Sequence, residues 1–230
     1  MVEHDPIASP TADRLAEVRR RMAAAAARAG RSLSGVTLVA VSKTFPDDAV
    51  RAVRDHGQMD FGESRPQALA SRMRAEPLLG VRWHFVGRLQ RNKIDQVAAA
   101  TLIHSVDRMR LAEDIAARTA RQGRVQRVLV QVNISRDPDK GGFEPEETAQ
   151  AVARIRDLPG ISVQGLMTIP AAAADPAEAF SAMRELRDGL RLQFPEVLHL
   201  SMGMSGDYET AIEHGATIVR IGTGIFGDRS

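Results

Sequence analysis

Short, uninterrupted apolar segments alternate along this chain with longer segments in which apolar residues recur every three or four positions. The clearest apolar segment is residues 37–41, Thr-Leu-Val-Ala-Val, which is followed by Ser42, Lys43 and, soon after, Pro46. A continuous apolar run of this length indicates a strand that is buried on both faces, as in a parallel sheet. The longer periodic segments indicate amphipathic helices that cover such a sheet.

The pattern predicts eight strands that alternate with helices. The strands are expected at 37–41, 59–61, 82–86, 101–104, 125–133, 161–168, 197–201 and 217–221. Helices are expected before the first strand and after each of the first seven, at 11–29, 46–56, 66–76, 90–99, 107–121, 145–156, 176–193 and 206–214. Such alternation implies right-handed crossovers, and eight units imply a closed barrel. The predicted fold class is α/β, a single (β/α)8 TIM barrel over residues 1–230 with an extra N-terminal helix.

An open, doubly wound sheet is the alternative architecture. That fold usually carries a glycine-rich phosphate turn after its first strand. Here the corresponding turn, residues 42–46, reads Ser-Lys-Thr-Phe-Pro and contains no G-x-G-x-x-G motif. No linker, repeat or low-complexity block divides the chain, so one closed barrel is preferred.

Composition narrows the class of protein. The chain has 230 residues, no cysteine and a formal net charge of +2, with basic residues interspersed among acidic ones. Disulfides and a cysteine nucleophile are therefore excluded, and no basic patch indicates a nucleic-acid partner. No stretch is apolar for long enough to span a bilayer, and residues 1–10 lack the pattern of an export signal. We therefore expect a cytoplasmic protein without a membrane partner.

Lysine is rare in this chain: only three of the 31 basic residues are lysines, namely Lys43, Lys93 and Lys140. Lys43 comes at the carboxyl end of the first predicted strand, half in apolar surroundings that disfavour its ammonium form. A lysine amine in such surroundings becomes a nucleophile toward carbonyl groups and forms a Schiff base. Alternatively, the side chain of Lys43 extends to the surface from the strand end.

The loops after strands seven and eight form the usual phosphate-binding corner of this fold. Ser205 precedes a predicted helix, so its hydroxyl is either an N-cap or part of an anion site. Residues 222–224, Gly-Thr-Gly, follow the last strand and offer closely spaced backbone N–H groups. Arg220 lies inside that strand and is costly to bury without a partner. It therefore pairs with Glu63 or Asp207, or it faces a ligand.

The reactive lysine and the phosphate corner are expected to be neighbours, because the first and last strands pair in a closed barrel. That geometry suits a phosphorylated aldehyde held covalently at one end and electrostatically at the other. Pyridoxal 5′-phosphate is the candidate. Met167 and Met204 would ordinarily fill a core, but soft side chains also suit the face of a flat ring, and we count both among the expected cofactor contacts.

Other polar residues near strand ends carry weaker signals. His84 and His104 are expected to be packed or capping residues, because no nucleophile partner is evident. No histidine–carboxylate spacing indicates a metal site. Arg88, Arg91 and Lys93, after the third strand, form either a solvated face or a second anion or partner site.

Several motifs spread over nearly the whole chain occur together in one known family. They are VSKT at 41–44, FGE at 61–63, WHFVGRLQRNK at 83–93, HSVD at 104–107, GLMTIP at 165–170, LSMGMS at 200–205, VRIG at 219–222 and IFG at 225–227. In these motifs the chain resembles the pyridoxal phosphate homeostasis proteins. The resemblance implies a single barrel related to the N-terminal domain of bacterial alanine racemase.

The resemblance also assigns roles to individual residues. It implies that pyridoxal 5′-phosphate is held as an aldimine on Lys43. It further implies phosphate contacts from Ser205 and from the amides of Gly222 and Thr223, and a contact between Arg220 and the pyridine nitrogen.

Two positions depart from the family pattern. Ser64 stands where relatives usually have asparagine, which weakens any inference of a ring contact there. Phe45 stands where relatives often have a polar or basic residue, so a helper lysine is missing.

The family is understood to buffer and deliver pyridoxal 5′-phosphate, and the expected function is therefore that of a carrier without turnover. The expected protein partners are apo-enzymes that depend on the cofactor, and the expected assembly is a monomer or weak dimer. The alternative is a racemase or lyase acting on amino acids. A racemase needs an acid–base group on each face of the substrate's α-carbon, and only Lys43 is evident. Whether Lys93 or Lys140 forms a second cofactor site stays open.

Overall fold

The computed structural model describes residues 10–75 and 80–227. Parallel strands form a closed barrel in which each strand pairs with its neighbour in the sequence. The strands are β1 (Thr37–Val41), β2 (Asp60–Glu63), β3 (Arg82–Phe85), β4 (Leu102–Val106), β5 (Gln126–Gln131), β6 (Ile161–Met167), β7 (His199–Ser201) and β8 (Ile218–Ile221). β1 pairs with β8 in the register Thr37–Ile218 and thereby closes the barrel. The predicted α/β TIM barrel is confirmed, with every strand within two residues of its expected bounds.

Helices cover the outside of the barrel. They are α1 (Pro10–Arg28) before β1, then α2 (Asp47–Asp55), α3 (Pro66–Arg74), α4 (Ile94–Val97), α5 (Met109–Arg121), α6 (Pro145–Arg156), α7 (Pro176–Arg191), α8 (Tyr208–Glu213) and α9 (Thr223–Phe226). The extra N-terminal helix is confirmed. It buries Leu15, Val18 and Met22 and packs against α2, α8 and α9. None of the helices in the described ranges is long and apolar enough to cross a membrane.

Several predicted helices differ from the observed ones, and those expected at 107–121 and 176–193 are each two residues shorter, at Met109–Arg121 and Pro176–Arg191. The helix expected at 90–99 is a 3-10 turn, Arg91–Lys93, followed by the single turn of α4, because its buried apolar residues, Ile94, Val97 and Ala98, span only about one turn. The helix expected at 206–214 begins two residues later, at Tyr208. The predicted end of helix 66–76 lies outside the described residues. In addition, the unpredicted α9 follows β8.

The barrel interior has an apolar side and a polar side. The apolar side is a cluster of buried residues from several strands: Val39, Val41, Leu102, Leu129, Met167 and Ile218. The polar side is formed by His84, His104, Ser201 and Arg220, all buried, with Asp60 at the amino end of β2. Barrel interiors are ordinarily filled by branched apolar side chains. The polar side therefore marks the strands on which function is expected.

Candidate functional site

Lys43 lies half-buried in the turn that follows β1, at the carboxyl end of the barrel. The next residue, Thr44, has a φ of 71°, which is rare for a β-branched side chain. Its hydroxyl donates a hydrogen bond to the carbonyl of Lys43 at 2.5 Å. Phe45 stacks on Phe226 of α9 with ring centroids 5.0 Å apart. The turn is thus held in one strained shape by its surroundings, and the Phe45 position serves packing.

A buried arginine from α3 fixes both ends of this turn. Arg72 donates hydrogen bonds to the carbonyl and hydroxyl oxygens of Ser42 and to the carbonyl of Phe45. Ser42 and Phe45 flank Lys43 in the chain. Arg72 therefore sets the direction in which the Lys43 side chain leaves the turn.

The charge of Arg72 is compensated locally. Its guanidinium lies 3.6 Å from Glu63, whose side chain is 1% exposed, and 5.6 Å from the ring centroid of Trp83. Glu63 also accepts hydrogen bonds from the backbone N–H groups of Ser64 and Arg65. Sequence reasoning missed Arg72. The available signal was its position on the buried face of α3, three residues after Leu69.

The loops after β7 and β8 meet at Ser205. Its hydroxyl oxygen accepts hydrogen bonds from the N–H groups of Gly222 and Gly224, at 3.3 and 3.2 Å. A Cβ at Gly224 would lie 2.9 Å from Ile221 Cγ2, so only glycine allows this close approach. Thr223 is the first residue of α9, and its N–H has no acceptor within the helix. Two backbone donors thus converge on one hydroxyl at this corner, and Thr223 lies between them in the chain.

The N-cap alternative for Ser205 is wrong. The residue that precedes α8 is Asp207, and its carboxylate accepts a hydrogen bond from the N–H of Met204 at 2.6 Å. Ser205 lies two residues earlier, in the loop, and its hydroxyl accepts hydrogen bonds from the backbone that follows β8. Its hydroxyl is therefore free of any role in starting α8.

The lysine turn and the corner are in direct contact. A Cβ at Gly222 would lie 3.3 Å from the carbonyl oxygen of Val41, which is two residues before Lys43. The stacking of Phe45 on Phe226 joins the same two segments a little further along. The structure thus brings Lys43, Ser205 and Gly222 to one edge of the barrel.

Arg220 is buried in the barrel interior below this edge. Its guanidinium donates to the hydroxyl of Ser201 at 2.6 Å and to the carbonyl of Thr168 at 3.0 Å. Burial lowers its pKa to about 10, so it is charged at neutral pH. Neither expected acidic partner pairs with it, because Glu63 binds Arg72 and Asp207 accepts from a backbone N–H. Within the described ranges Arg220 forms no ion pair.

A chain of hydrogen bonds continues from Arg220 through the barrel. Ser201 Oγ lies 2.8 Å from His104 Nδ1, and His104 Nε2 lies 2.9 Å from His84 Nδ1. His84 Nε2 lies 3.1 Å from Asp60 Oδ1. Asp60 lines a cavity of about 210 Å³ at the amino ends of the strands. The chain therefore runs from the carboxyl end of the barrel to its opposite end.

The charge states of Arg220 and Asp60 fix the two ends of this chain. Burial alone would raise the pKa of Asp60, but hydrogen bonds from Arg82 and His84 lower it to about 2, so Asp60 only accepts. Burial, aided by nearby His84 and Arg220, holds the pKa of His104 well below its usual range, so that ring is neutral. Asp60 accepts from His84 Nε2, and the neutral ring of His104 donates through one nitrogen and accepts through the other. Arg220 therefore donates into the chain at one end, and Asp60 accepts at the other.

Sequence reasoning expected His84 and His104 to be packed residues and missed this chain. Both are indeed buried, at 4% and 0% exposure. The signal that could have found the chain is strand parity, because His84, His104, Ser201 and Arg220 occupy inward positions of their strands.

The remaining expected site residues lie in different surroundings. Met167 is buried among the apolar residues of the barrel interior, whereas Met204 is 40% exposed in the loop after β7. The ammonium of Lys140 donates to the carbonyls of Ile169 and Pro170, at 3.2 and 2.5 Å. Lys140 therefore ties the loops after β5 and β6 together.

The fold and this edge of the barrel define a class of protein. A family profile described as the N-terminal domain of alanine racemase matches residues 14–230. The alanine racemase of Corynebacterium glutamicum has a TM-score of 0.65 and 19% identity, with 93% of this chain and 60% of that chain covered. That likeness shows the fold alone.

More similar relatives define the family within that class. The pyridoxal phosphate homeostasis protein of Aquifex aeolicus is 43% identical over 222 residues, which covers 94% of this chain and 97% of the relative. PipY of Synechococcus elongatus, solved with PLP bound, has a TM-score of 0.81 and 32% identity, with 94% of this chain and 100% of that chain covered. The chain belongs to the family of pyridoxal phosphate homeostasis proteins.

The buried neutral state of His104 predicts a specific dependence of stability on pH. Its folded pKa lies below the unfolded value of 6.5, so below pH 6.5 the unfolded chain binds a proton that the folded chain refuses. The free energy of unfolding should therefore fall as the pH drops below 6.5, by up to about 1.4 kcal/mol per pH unit from this residue. Urea unfolding between pH 5 and 8 measures the slope.

His104→Gln retains a donor and an acceptor but does not titrate, so the slope should decrease by close to one proton. The exposed Leu192→Gln leaves every histidine in place and is the control, and its slope should equal that of the unaltered protein. Identical slopes for all three proteins would contradict the assigned state of His104.

Proposed function

We propose that this protein holds pyridoxal 5′-phosphate between the Lys43 turn and the corner formed by Ser205, Gly222 and Thr223, and that it stores and delivers this cofactor. The observation that carries the proposal is the direct contact of the two segments at Gly222 and Val41. A group that reacts with aldehydes and a group of anion donors thus share one edge of the barrel. Family membership and the PLP-bound structure of PipY support the choice of cofactor.

The corner has the chemistry that a phosphate group requires. The N–H groups of Gly222 and Gly224 already point at an oxygen, that of Ser205. Closely spaced backbone N–H groups form an anion-binding concavity, and hydrogen bonds to a charged acceptor are the strong ones. In the proposed complex Ser205 and the amides of Gly222 and Thr223 bind the phosphate oxygens.

Arg220 is suited to the pyridine nitrogen of the cofactor. Two of its N–H donors are taken by Ser201 and Thr168, and a planar guanidinium has five. A charged donor at the ring nitrogen keeps that nitrogen unprotonated, and the neutral His104 behind Ser201 offers no proton. Met167 and Met204 are proposed to contact the ring faces. Arg220 thereby orients the ring and weakens it as an electron sink.

Lys43 supplies the covalent attachment. Its amine attacks the aldehyde carbon, a carbon–nitrogen double bond forms, and the aldehyde oxygen leaves as water. A second amine, from a free amino acid or a recipient protein, reverses the step by taking the place of Lys43. Arg72 holds the turn so that the amine is presented to the corner. Storage and release therefore need no further acid–base group.

The chain's single tyrosine does not complete a racemase. Tyr208 is 3% exposed, and its hydroxyl is buried without a hydrogen-bond partner among the described residues. Its ring lies 5.7 Å from the guanidinium carbon of Arg21 in α1, and burial raises its pKa. A second base on the far face of a substrate must therefore come from another residue. This favours the carrier over a racemase or lyase.

Lys43 should be the residue that borohydride fixes to the cofactor. Reduction of the yellow protein should attach one pyridoxyl group, and peptide mapping should locate it on Lys43. Lys43→Ala should abolish the visible absorbance while leaving the far-ultraviolet circular dichroism unchanged, because the residue lies in a turn outside the core. Lys140→Ala is the control and should label as the unaltered protein does. A pyridoxyl group found only on Lys140 would refute the assignment.

Ser205→Ala should weaken pyridoxal 5′-phosphate binding by about 1–3 kcal/mol, which is roughly 5- to 150-fold in dissociation constant. The free energy of unfolding without cofactor should fall by about 0.5–1.5 kcal/mol, because the N–H groups of Gly222 and Gly224 lose their acceptor, although Ser205 does not cap α8. Ser32→Ala, which removes the cap of a short 3-10 turn far from the corner, should leave the affinity unaltered. Fluorescence titration and urea unfolding measure the two quantities. An unaltered affinity together with a lowered free energy of unfolding would contradict a role for Ser205 in cofactor binding.

The protein should catalyse no exchange of the α-proton of alanine above the rate given by free pyridoxal 5′-phosphate. Exchange needs a base that is positioned on the α-carbon and a site closed to water, in addition to Lys43. Proton–deuterium exchange in heavy water, followed by nuclear magnetic resonance, is the measurement. Exchange that saturates with alanine and disappears in Lys43→Ala would establish an enzyme and replace the carrier function.

A further inference from the structure

A second basic pocket lies between the loops that follow β2, β3 and β4, at the same end of the barrel as Lys43. It is a cavity of about 390 Å³. Its charged lining consists of Arg88, Lys93 and Arg108, and the amides of Gln67 and Gln90 lie beside them. The residues of the corner and of the Lys43 turn are not among its lining residues.

The pocket carries more positive than negative charge. The nearby carboxylate is that of Asp107, which forms an ion pair with Arg108 and lies 4.0 Å from Arg88. The ammonium of Lys93 has neither an ion pair nor a hydrogen bond among the described residues. Three cations thus face one carboxylate, and Lys93 has no acidic partner among the described residues. Arg91, by contrast, points away and pairs with Asp114.

The loop that carries these cations is fixed in place. Leu89 is 1% exposed and anchors it, and its carbonyl accepts a hydrogen bond from Arg108 at 3.3 Å. A Cβ at Gly87 would lie 2.1 Å from the carbonyl oxygen of Ser64, so the loops after β2 and β3 are in contact there. The hydroxyl of Ser105 also donates to the carbonyl of Gly87 at 2.5 Å. Packing therefore fixes the concave shape of the pocket. Such fixed packing is not needed if Arg88 and Lys93 only form a solvated surface.

We propose that this pocket is a second binding site, for the phosphate group of a phosphate monoester. Three cations against one carboxylate leave the excess of positive charge that a phosphate dianion requires, and arginine offers paired donors to its oxygens. Gln67 and Gln90 add neutral donors. The cavity is larger than a bare phosphate, and Pro66 and Leu89 supply an apolar wall for the body of the ligand. The inference goes beyond the proposed function and does not depend on the role of Lys43.

The test uses holoprotein reduced with borohydride, so that the first site is filled. Isothermal titration calorimetry in phosphate-free buffer is carried out with inorganic phosphate, pyridoxal 5′-phosphate and pyridoxal. One equivalent of pyridoxal 5′-phosphate should bind, inorganic phosphate should compete with it, and pyridoxal should not bind. Equal affinity for both phosphates would assign the site to free phosphate, and tighter binding of the ester would assign it to a phosphorylated metabolite. Binding of neither would overturn the proposal.

Variants locate the site. Arg88→Gln and Lys93→Gln should each weaken phosphate binding by about tenfold or more, the effect of losing one hydrogen bond to a charged group. Arg91→Gln is the matched control, since it removes one charge from the same loop outside the pocket, and it should leave the affinity unaltered. Equal losses in all three variants would show diffuse surface attraction and would overturn the proposal. Peptide mapping of Lys43 tests the first site independently of the titrations. A negative result for one site therefore leaves the result for the other unchanged.

Discussion

The burial of one positive charge in the barrel interior is the constraint on which this site depends. Arg220 is 4% exposed, and an isolated buried cation is costly unless hydrogen bonds compensate it. Here the compensation comes from neutral groups, the Ser201 hydroxyl and the Thr168 carbonyl. Ser201 is hydrogen-bonded to His104, His104 to His84, and His84 to Asp60 at the opposite end of the barrel. Half of the interior must therefore be polar.

The two buried arginines illustrate different uses of the same side chain. Arg72 has a nearby carboxylate, an aromatic face and three oxygen acceptors, so its bonding capacity is consumed inside the fold. It acts as a brace for the turn that bears Lys43. Arg220 has no carboxylate partner among the described residues, and some of its N–H donors are unused. These donors are available to bind a ligand. Local compensation thus distinguishes a structural cation from one that is available to a cofactor.

The alternation of short apolar runs with periodic segments was sufficient to predict the barrel. The spacing of apolar residues in each segment shows which of its faces is buried, and this depends only on the local sequence. Lys43, Ser205 and residues 222–224 were found for the same reason: they follow strands, and parallel strands end at a common edge. Arg72 and the histidine chain could not be found in that way. Their contacts depend on which side of each strand faces inward, and the register of β4 with β5 shifts between Ile103 and Val106. The helix expected at 90–99 was wrong because amphipathic spacing there has only one turn of buried anchors.

The buried chain of hydrogen bonds from Arg220 to Asp60 constrains how this sequence can vary. A change at Ser201, His104 or His84 leaves a neighbouring donor or acceptor without its partner. Residues joined in one such network are coupled by roughly 0.5–3 kcal/mol rather than contributing independently. We therefore expect substitutions at neighbouring residues of the chain to occur together in evolution. A homologue that has lost one histidine is expected to have lost the other as well.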